Sequence, residues 1–225
     1  MIKSISFCSV LFLLLTSCQG VLVNEKLEDW VFPKEDNFKW LQTKTFEKGF
    51  EDFNLSTKMY YFKLPHNQFG TIEANFLDNN QGNAQEMLFE LKDGELKLLK
   101  VKTGGIENVE PIENSFDVNN VYWKLPPEND TIRWNYSREN DTYVRCSSYW
   151  TSSQGSEKTL VFEREIYNTQ EMLVRFEKSV EFYKKNQGLT KIELYGKSDD
   201  KIMMQNKVTE SGIDPNVENG KFPLK

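Results

Sequence analysis

Nucleophilic, acid–base and metal chemistry each need particular residue types, and this chain of 225 residues is poor in most of them. It has one histidine, His66, and three cysteines, Cys8, Cys18 and Cys146. A zinc site needs clustered His and Cys ligands, which so few residues do not supply. A serine triad would have to be built on His66 alone, and "SSQGS" at 152–156 lacks the pattern of a nucleophile elbow. The segment "LDNNQGN" at 77–83 carries oxygen ligands, but not the spaced acids and closing Glu of a calcium loop, and it reads as a turn. No glycine motif that would cradle a phosphate or a dinucleotide occurs, so neither metal nor cofactor is expected. Carboxylates are plentiful, at 34 Asp and Glu. A paired-acid hydrolase is therefore conceivable, although spacing singles out no pair.

Aromatic residues make a second chemical resource. Trp123, Trp134 and Trp150, with Tyr136, are placed to line a ligand groove if their strands share a face. The plainer reading of aromatics in strands is core packing and cross-strand pairing. Thr131 lies in Asp130-Thr131-Ile132, which resembles the Asp-Thr-aliphatic O-glycosylation acceptor of Bacteroidota and also reads as a turn at a strand start.

Cys18 has the most specific surroundings. Lys3 and an apolar run from Ile5 to Leu15 open the chain. Such a run rises only ~16 Å as a helix, too short to cross a bilayer but suited to a secretory signal. It ends in Leu15-Thr16-Ser17-Cys18, which resembles the bacterial lipobox. That resemblance implies removal of residues 1–17 and acylation of Cys18, whose several acyl chains would anchor the protein stably. Gln19 and Gly20 carry no acidic retention signal, so the resemblance further implies the outer membrane, with the domain on its periplasmic or surface side.

Processing would leave 208 residues with 27 basic and 34 acidic side chains. That acidic balance disfavours a nucleic-acid partner and electrostatic adsorption to anionic lipid, so the lipid must do the anchoring. Cys146 would then be the lone free thiol. It falls in a strand-like run without a nearby histidine and reads as buried and inert.

The elements around these residues follow from periodicity. Residues 18–29 read as a lipidated stalk, 30–196 as an antiparallel β domain with a candidate boundary at the loop-like 103–120, and 197–225 as a loosely ordered tail. A short helix is a weak option over 37–48. From 70 to 76, Ile72, Ala74 and Phe76 alternate with Thr71, Glu73 and Asn75, as in a half-buried strand. In "EMLFELKDGELKLLKV" the Asp93-Gly94 pair predicts a two-residue hairpin loop that sets Lys92 opposite Glu95, Leu91 opposite Leu96 and Phe89 opposite Leu98. Residues 169–187 fit a helix or a strand. Strand is preferred, because it makes a hairpin about 186–188 with the alternation that follows.

From "KLPPENDTIRWNYSRENDTYVRC" to "VEFYKKNQGLTKIELYG" the chain resembles the carboxy-terminal part of many Bacteroidota-type envelope lipoproteins. They share a Trp-x-Tyr strand, a polar turn, a Cys-bearing strand and an aromatic hairpin with Gly-Leu-x-Lys. The likeness covers about a third of the chain and implies an antiparallel curved sheet, half-barrel or sandwich with at most one or two short helices. It leaves activity open. Three functions fit the sequence: a non-catalytic holder of an apolar ligand or partner protein, an inhibitor or immunity lipoprotein for a basic enzyme, and a carboxylate hydrolase.

Overall fold

The computed structural model describes residues 25–46, 55–76, 82–105, 112–115, 120–138, 142–152, 157–168, 173–196 and 201–215. The expected signal segment and Cys18 lie outside them, as do residues 77–81 of the expected turn and 153–156 of "SSQGS". Among the described residues, one short helix, α1 (Glu28–Val31), is followed by thirteen strands. The first seven are β1 (Phe38–Thr45), β2 (Ser56–Leu64), β3 (Gln68–Phe76), β4 (Gly82–Lys92), β5 (Glu95–Gly105), β6 (Ile112–Ser115) and β7 (Val121–Lys124). Six follow: β8 (Ile132–Arg138), β9 (Thr142–Thr151), β10 (Thr159–Asn168), β11 (Leu173–Lys184), β12 (Gly188–Tyr195) and β13 (Ile202–Gly212).

All pairings are antiparallel, in the order β6-β5-β4-β3-β2-β1-β13-β12-β11-β10-β9-β8. The sheet curls into a nearly closed, twelve-strand barrel-like shape, as a mainly β reading with a curved sheet expects. Strand β13 joins the two halves by pairing with β1 on one side and β12 on the other. The stretch 202–212, expected within a loose tail, is therefore the strand that makes the sheet continuous. Within the stretch 103–120 and just after it, the described strands β6 and β7 both pair with β5.

Side-chain parity gives the sheet an inside and an outside. Leu41, Met59, Tyr61, Phe69, Phe89, Leu98, Leu160 and Phe162 belong to one interior cluster. Residues one step along the same strands point outward, and Tyr60 and Ile72 form a separate outer cluster with Phe38 and Phe62. On β1 the inner face is Lys39, Leu41, Thr43 and Thr45, while the aromatics Phe38 and Trp40 face out. That inversion explains why the region reads weakly as helix and folds as a strand.

The hairpins follow local chemistry. Asp93 and Gly94 both have positive φ (55° and 76°), and the pairs Lys92–Glu95, Leu91–Leu96 and Phe89–Leu98 form as the turn dictates. Residues 173–184 are strand, and β11 turns into β12 through Asn186 (φ 61°) and Gly188 (φ 70°). His66 sits in the exposed β2–β3 turn at φ 62°, so the single histidine serves a bend.

One end of the barrel is stoppered by the amino-terminal segment. Leu27, Trp30, Val31 and Phe32 are buried in the interior cluster, so the docked segment begins inside the stretch read as stalk. Each such side chain contributes roughly 1.5–3 kcal/mol of burial. Phe32 stacks on Phe69 at 4.5 Å, and Trp30 meets Trp150 edge-on at 4.8 Å. Asn186 donates its backbone N–H to the Asp29 carbonyl at 2.6 Å, and Lys34 donates to the Asn186 carbonyl at 2.9 Å. Gly188 is needed here twice over. Its φ is left-handed, and a Cβ would lie 3.0 Å from the Pro33 ring.

The barrel closes at β7 by a different means. Strand β7 pairs with β5, setting Leu96 beside Trp123, but it makes no ladder with β8. Side chains span the gap instead. The Trp134 indole donates to the Val121 carbonyl at 2.8 Å, the Ser148 hydroxyl to the Lys124 carbonyl at 2.8 Å, and the Trp150 indole to the Pro126 carbonyl at 3.1 Å. Backbone acceptors that a neighbouring strand would satisfy are thus satisfied by side chains.

Candidate functional site

The register of β9, β10 and β11 sets up the site. Val144 lies opposite Ile166, Cys146 opposite Arg164 and Ser148 opposite Phe162; on the other side Arg164 is opposite Ser179 and Phe162 opposite Glu181. These residues share the inner face with Leu160 and Tyr183. A guanidinium and a carboxylate are thereby carried into an otherwise apolar wall.

Arg164, only 6% exposed, forms an ion pair with Glu181. It also donates through Nη2 to the Tyr122 carbonyl at 3.3 Å, and its guanidinium lies 4.3 Å from the Tyr122 ring centre. Burial is the largest influence and works against its charge, but the Glu181 carboxylate, together with smaller contributions from Tyr122, Cys146 and Tyr136, outweighs it and holds the guanidinium protonated. The Tyr183 hydroxyl donates to the second Glu181 oxygen at 2.7 Å. Burial, reinforced by the Glu181 charge, pushes the Tyr183 phenol well above its ordinary value, so it stays a donor.

Beside this pair lies a cavity of about 260 Å³. Its wall combines the apolar Val144, Ile166, Leu194, Met203 and Met204 with Tyr122, Tyr136 and Tyr195, and with Ser179, Lys178, Arg164 and Glu181. It sits toward the strand ends opposite α1. Lys178 is paired with Glu163 at 3.5 Å. A second interior carboxylate, Glu73, shares the inner face of β3 with Phe69. It is half-buried and accepts from the Asn75 amide at 3.1 Å. Burial raises the Glu73 carboxyl above its ordinary value, the Asn75 bond opposes this, and the Glu181 charge adds to it. Glu73 does not line the cavity, so the two acids do not flank a common substrate space.

Of the four aromatics expected to line a groove, Tyr136 does line this cavity, 5.7 Å from the Tyr122 ring. The three tryptophans are elsewhere. Trp123 is 4% exposed, packed against Phe89 and Phe32; Trp134 and Trp150 are half-buried and hold the seam. Trp150 also borders an outer hollow of about 590 Å³ together with Thr131, Tyr149, Ser152 and Lys158. There Thr131 donates its backbone N–H to the Asp130 carboxylate at 2.7 Å, the geometry of a turn at a strand start. Cys146 is buried, and burial pushes its thiol up to about 12, with Arg164 opposing and Glu181 adding.

Sequence reading misses Arg164, Glu181, Met203 and Met204. A signal is present in "TLVFEREIY", where Leu160, Phe162 and Ile166 mark a buried face and Arg164 falls on it. A charge in phase with an apolar face needs a buried partner, and Glu181 supplies it. Among the described residues no cluster of His, Cys, Asp and Glu could hold a metal ion, and no helix is long and apolar enough to cross a membrane. No protein-family description, curated protein or solved structure matches the chain, so the site is read from its own chemistry.

Proposed function

We propose that this is a lipid-anchored envelope protein with a non-catalytic binding role, holding a small apolar ligand inside its barrel. The observation that carries this reading is the 260 Å³ cavity, walled by Val144, Ile166, Leu194, Met203 and Met204 and edged by a few polar groups. Concave apolar spaces with few polar anchors are the usual form of small-ligand sites. An outer-membrane address by way of Cys18 is supported by the Leu15-Thr16-Ser17-Cys18 sequence.

The anchor and the cavity are compatible in space. The chain docks from Leu27 onward at the stoppered end, and the seven steps from Cys18 to Glu25 span at most ~25 Å. An acylated Cys18 would hold that end near the bilayer, with the cavity toward the far end.

The test is mass spectrometry of material extracted from protein purified from envelopes, alongside fractionation of a Cys18→Ser chain. Apolar molecules of a defined mass should accompany the wild type at near one per chain, and Cys18→Ser should leave the envelope and lose palmitate labelling. Stoichiometric recovery of one partner protein with no small molecule would turn the reading toward the inhibitor class.

A further inference from the structure

The charges around the cavity restrict what can enter it. Three lining residues are ionised, and each already has its counter-charge. Arg164 is bonded to Glu181, and Lys178 is paired on its other side with Glu163. A charged head group arriving here would find no uncompensated partner in the wall. It would either lie unpaired in a largely apolar space or have to break an existing pair. An anion would also face Glu181.

Among the described residues that line the cavity, one buried side-chain polar atom has no hydrogen-bond partner. Arg164 is 6% exposed, yet its Nε–H has no acceptor among the described residues, although both terminal nitrogens are engaged, Nη1 by Glu181 and Nη2 by the Tyr122 carbonyl. A donor on a compensated guanidinium asks for an uncharged acceptor, such as a carbonyl oxygen. Size adds a second restriction. At ~30 Å³ for each water-sized group, 260 Å³ takes about nine such groups, below the ~300–1,000 Å³ of sites for drug-sized ligands.

We propose that the cavity selects a short, uncharged amphipath: an acyl chain of roughly seven or eight carbons whose neutral carbonyl head, an amide or ester, seats against Arg164 while the chain lies along Val144, Ile166, Leu194 and Met204. This rests on the binding reading above and specifies its ligand class.

Three probes of equal chain length separate the possibilities: octanamide, octanoate and octylamine. They are titrated calorimetrically at pH 7 into the processed, lipidated protein in phosphatidylcholine nanodiscs, with empty nanodiscs as the blank. Octanamide should bind at least ten-fold tighter than either charged probe. Glu181→Gln removes the counter-charge of Arg164 and should improve octanoate binding at least ten-fold relative to octanamide. Octanoate or octylamine binding the wild type as tightly as octanamide would overturn the head-group assignment while leaving an apolar-ligand protein. If none of the three saturates and no small molecule co-purifies, the binding reading itself fails. Should Glu181→Gln not fold, Met204→Trp fills the cavity from β13 and must abolish octanamide binding; retained binding would put the site elsewhere and overturn the proposal.

Discussion

Arg164 on β10 and Glu181 on β11 are diagonal neighbours. The register sets Arg164 beside Ser179 and Glu181 beside Phe162, and the guanidinium reaches across the diagonal to the carboxylate. Both charges sit in the wall of an apolar interior, so each depends on the other. Removing one leaves a buried charge alone, which typically costs about 3–5 kcal/mol, whereas replacing both with apolar residues of similar size is often neutral or stabilising. Glu181→Leu is therefore expected to destabilise by about 3–5 kcal/mol, and Arg164→Met/Glu181→Leu to recover most of that loss. Urea unfolding of the two single variants and the double variant measures the coupling. Simple addition of the two single losses would mean that the pair is not coupled.

The seam at β7 makes a separate prediction. Three acceptors at the seam, Val121, Lys124 and Pro126, are satisfied by Trp134, Ser148 and Trp150 rather than by a strand. Trp134→Phe keeps an aromatic ring but loses the indole donor along with part of the bulk, and the unpaired Val121 carbonyl alone costs about 1–3 kcal/mol. The expected signature is local: faster amide exchange over 120–125 with β10 and β11 unchanged. Exchange that quickens evenly through the barrel would show that Trp134 acts as general core instead.

How far the fold is legible in the sequence depends on which way each strand turns its apolar residues. The Asp93-Gly94 hairpin is legible because its turn chemistry and its apolar face agree, with Leu91, Leu96, Phe89 and Leu98 all interior. Strand β1 is obscure because Phe38 and Trp40 face outward while Lys39 and Thr43 face in. Lys39 is 4% exposed and ion-paired to Asp36 at 2.8 Å, an arrangement that no periodicity announces. Strand β13 escapes a sequence reading for a like reason. Its inner residues include Met204 and Asn206, set where the interior is a cavity and a polar wall rather than a packed core. The tryptophans stand out in the sequence, but a Trp in a strand does not reveal whether its indole serves a ligand or a seam. Only the carbonyls of β7 and the 125–126 segment, distant in sequence, decide that.

Glu73 gives the interior a pH dependence of known sign. Burial raises its carboxyl above 4.5, the Asn75 bond pulls it back, and the Glu181 charge pushes it up again, with a net rise. The folded chain then holds this proton more tightly than the unfolded chain. Its contribution to stability is greatest below the unfolded value and falls as pH rises through the raised folded value. Glu73→Gln keeps an acceptor for the Asn75 amide and removes the titration. The variant should melt higher than wild type at pH 7 and show a flatter melting profile between pH 4 and 8. A profile as steep as the wild type's would assign the slope to another group.

Cys146 supplies a last test, and it reaches from the interior to the membrane. The thiol is 4% exposed on β9 beside Arg164, and burial pushes it up to about 12, so very little thiolate exists at pH 8. Native protein is expected to resist Ellman's reagent over hours, since reaction must wait for unfolding. In guanidinium the thiol becomes accessible and the count becomes informative. A chain cut before Cys18 and acylated there has lost Cys8 and blocked Cys18, so one thiol should react. Two thiols would mean that Cys18 carries no lipid, and the membrane anchor would then have to be sought elsewhere in the chain. Rapid labelling of the native protein would instead mean that β9 opens far more readily than its buried neighbours Val144 and Ser148 imply.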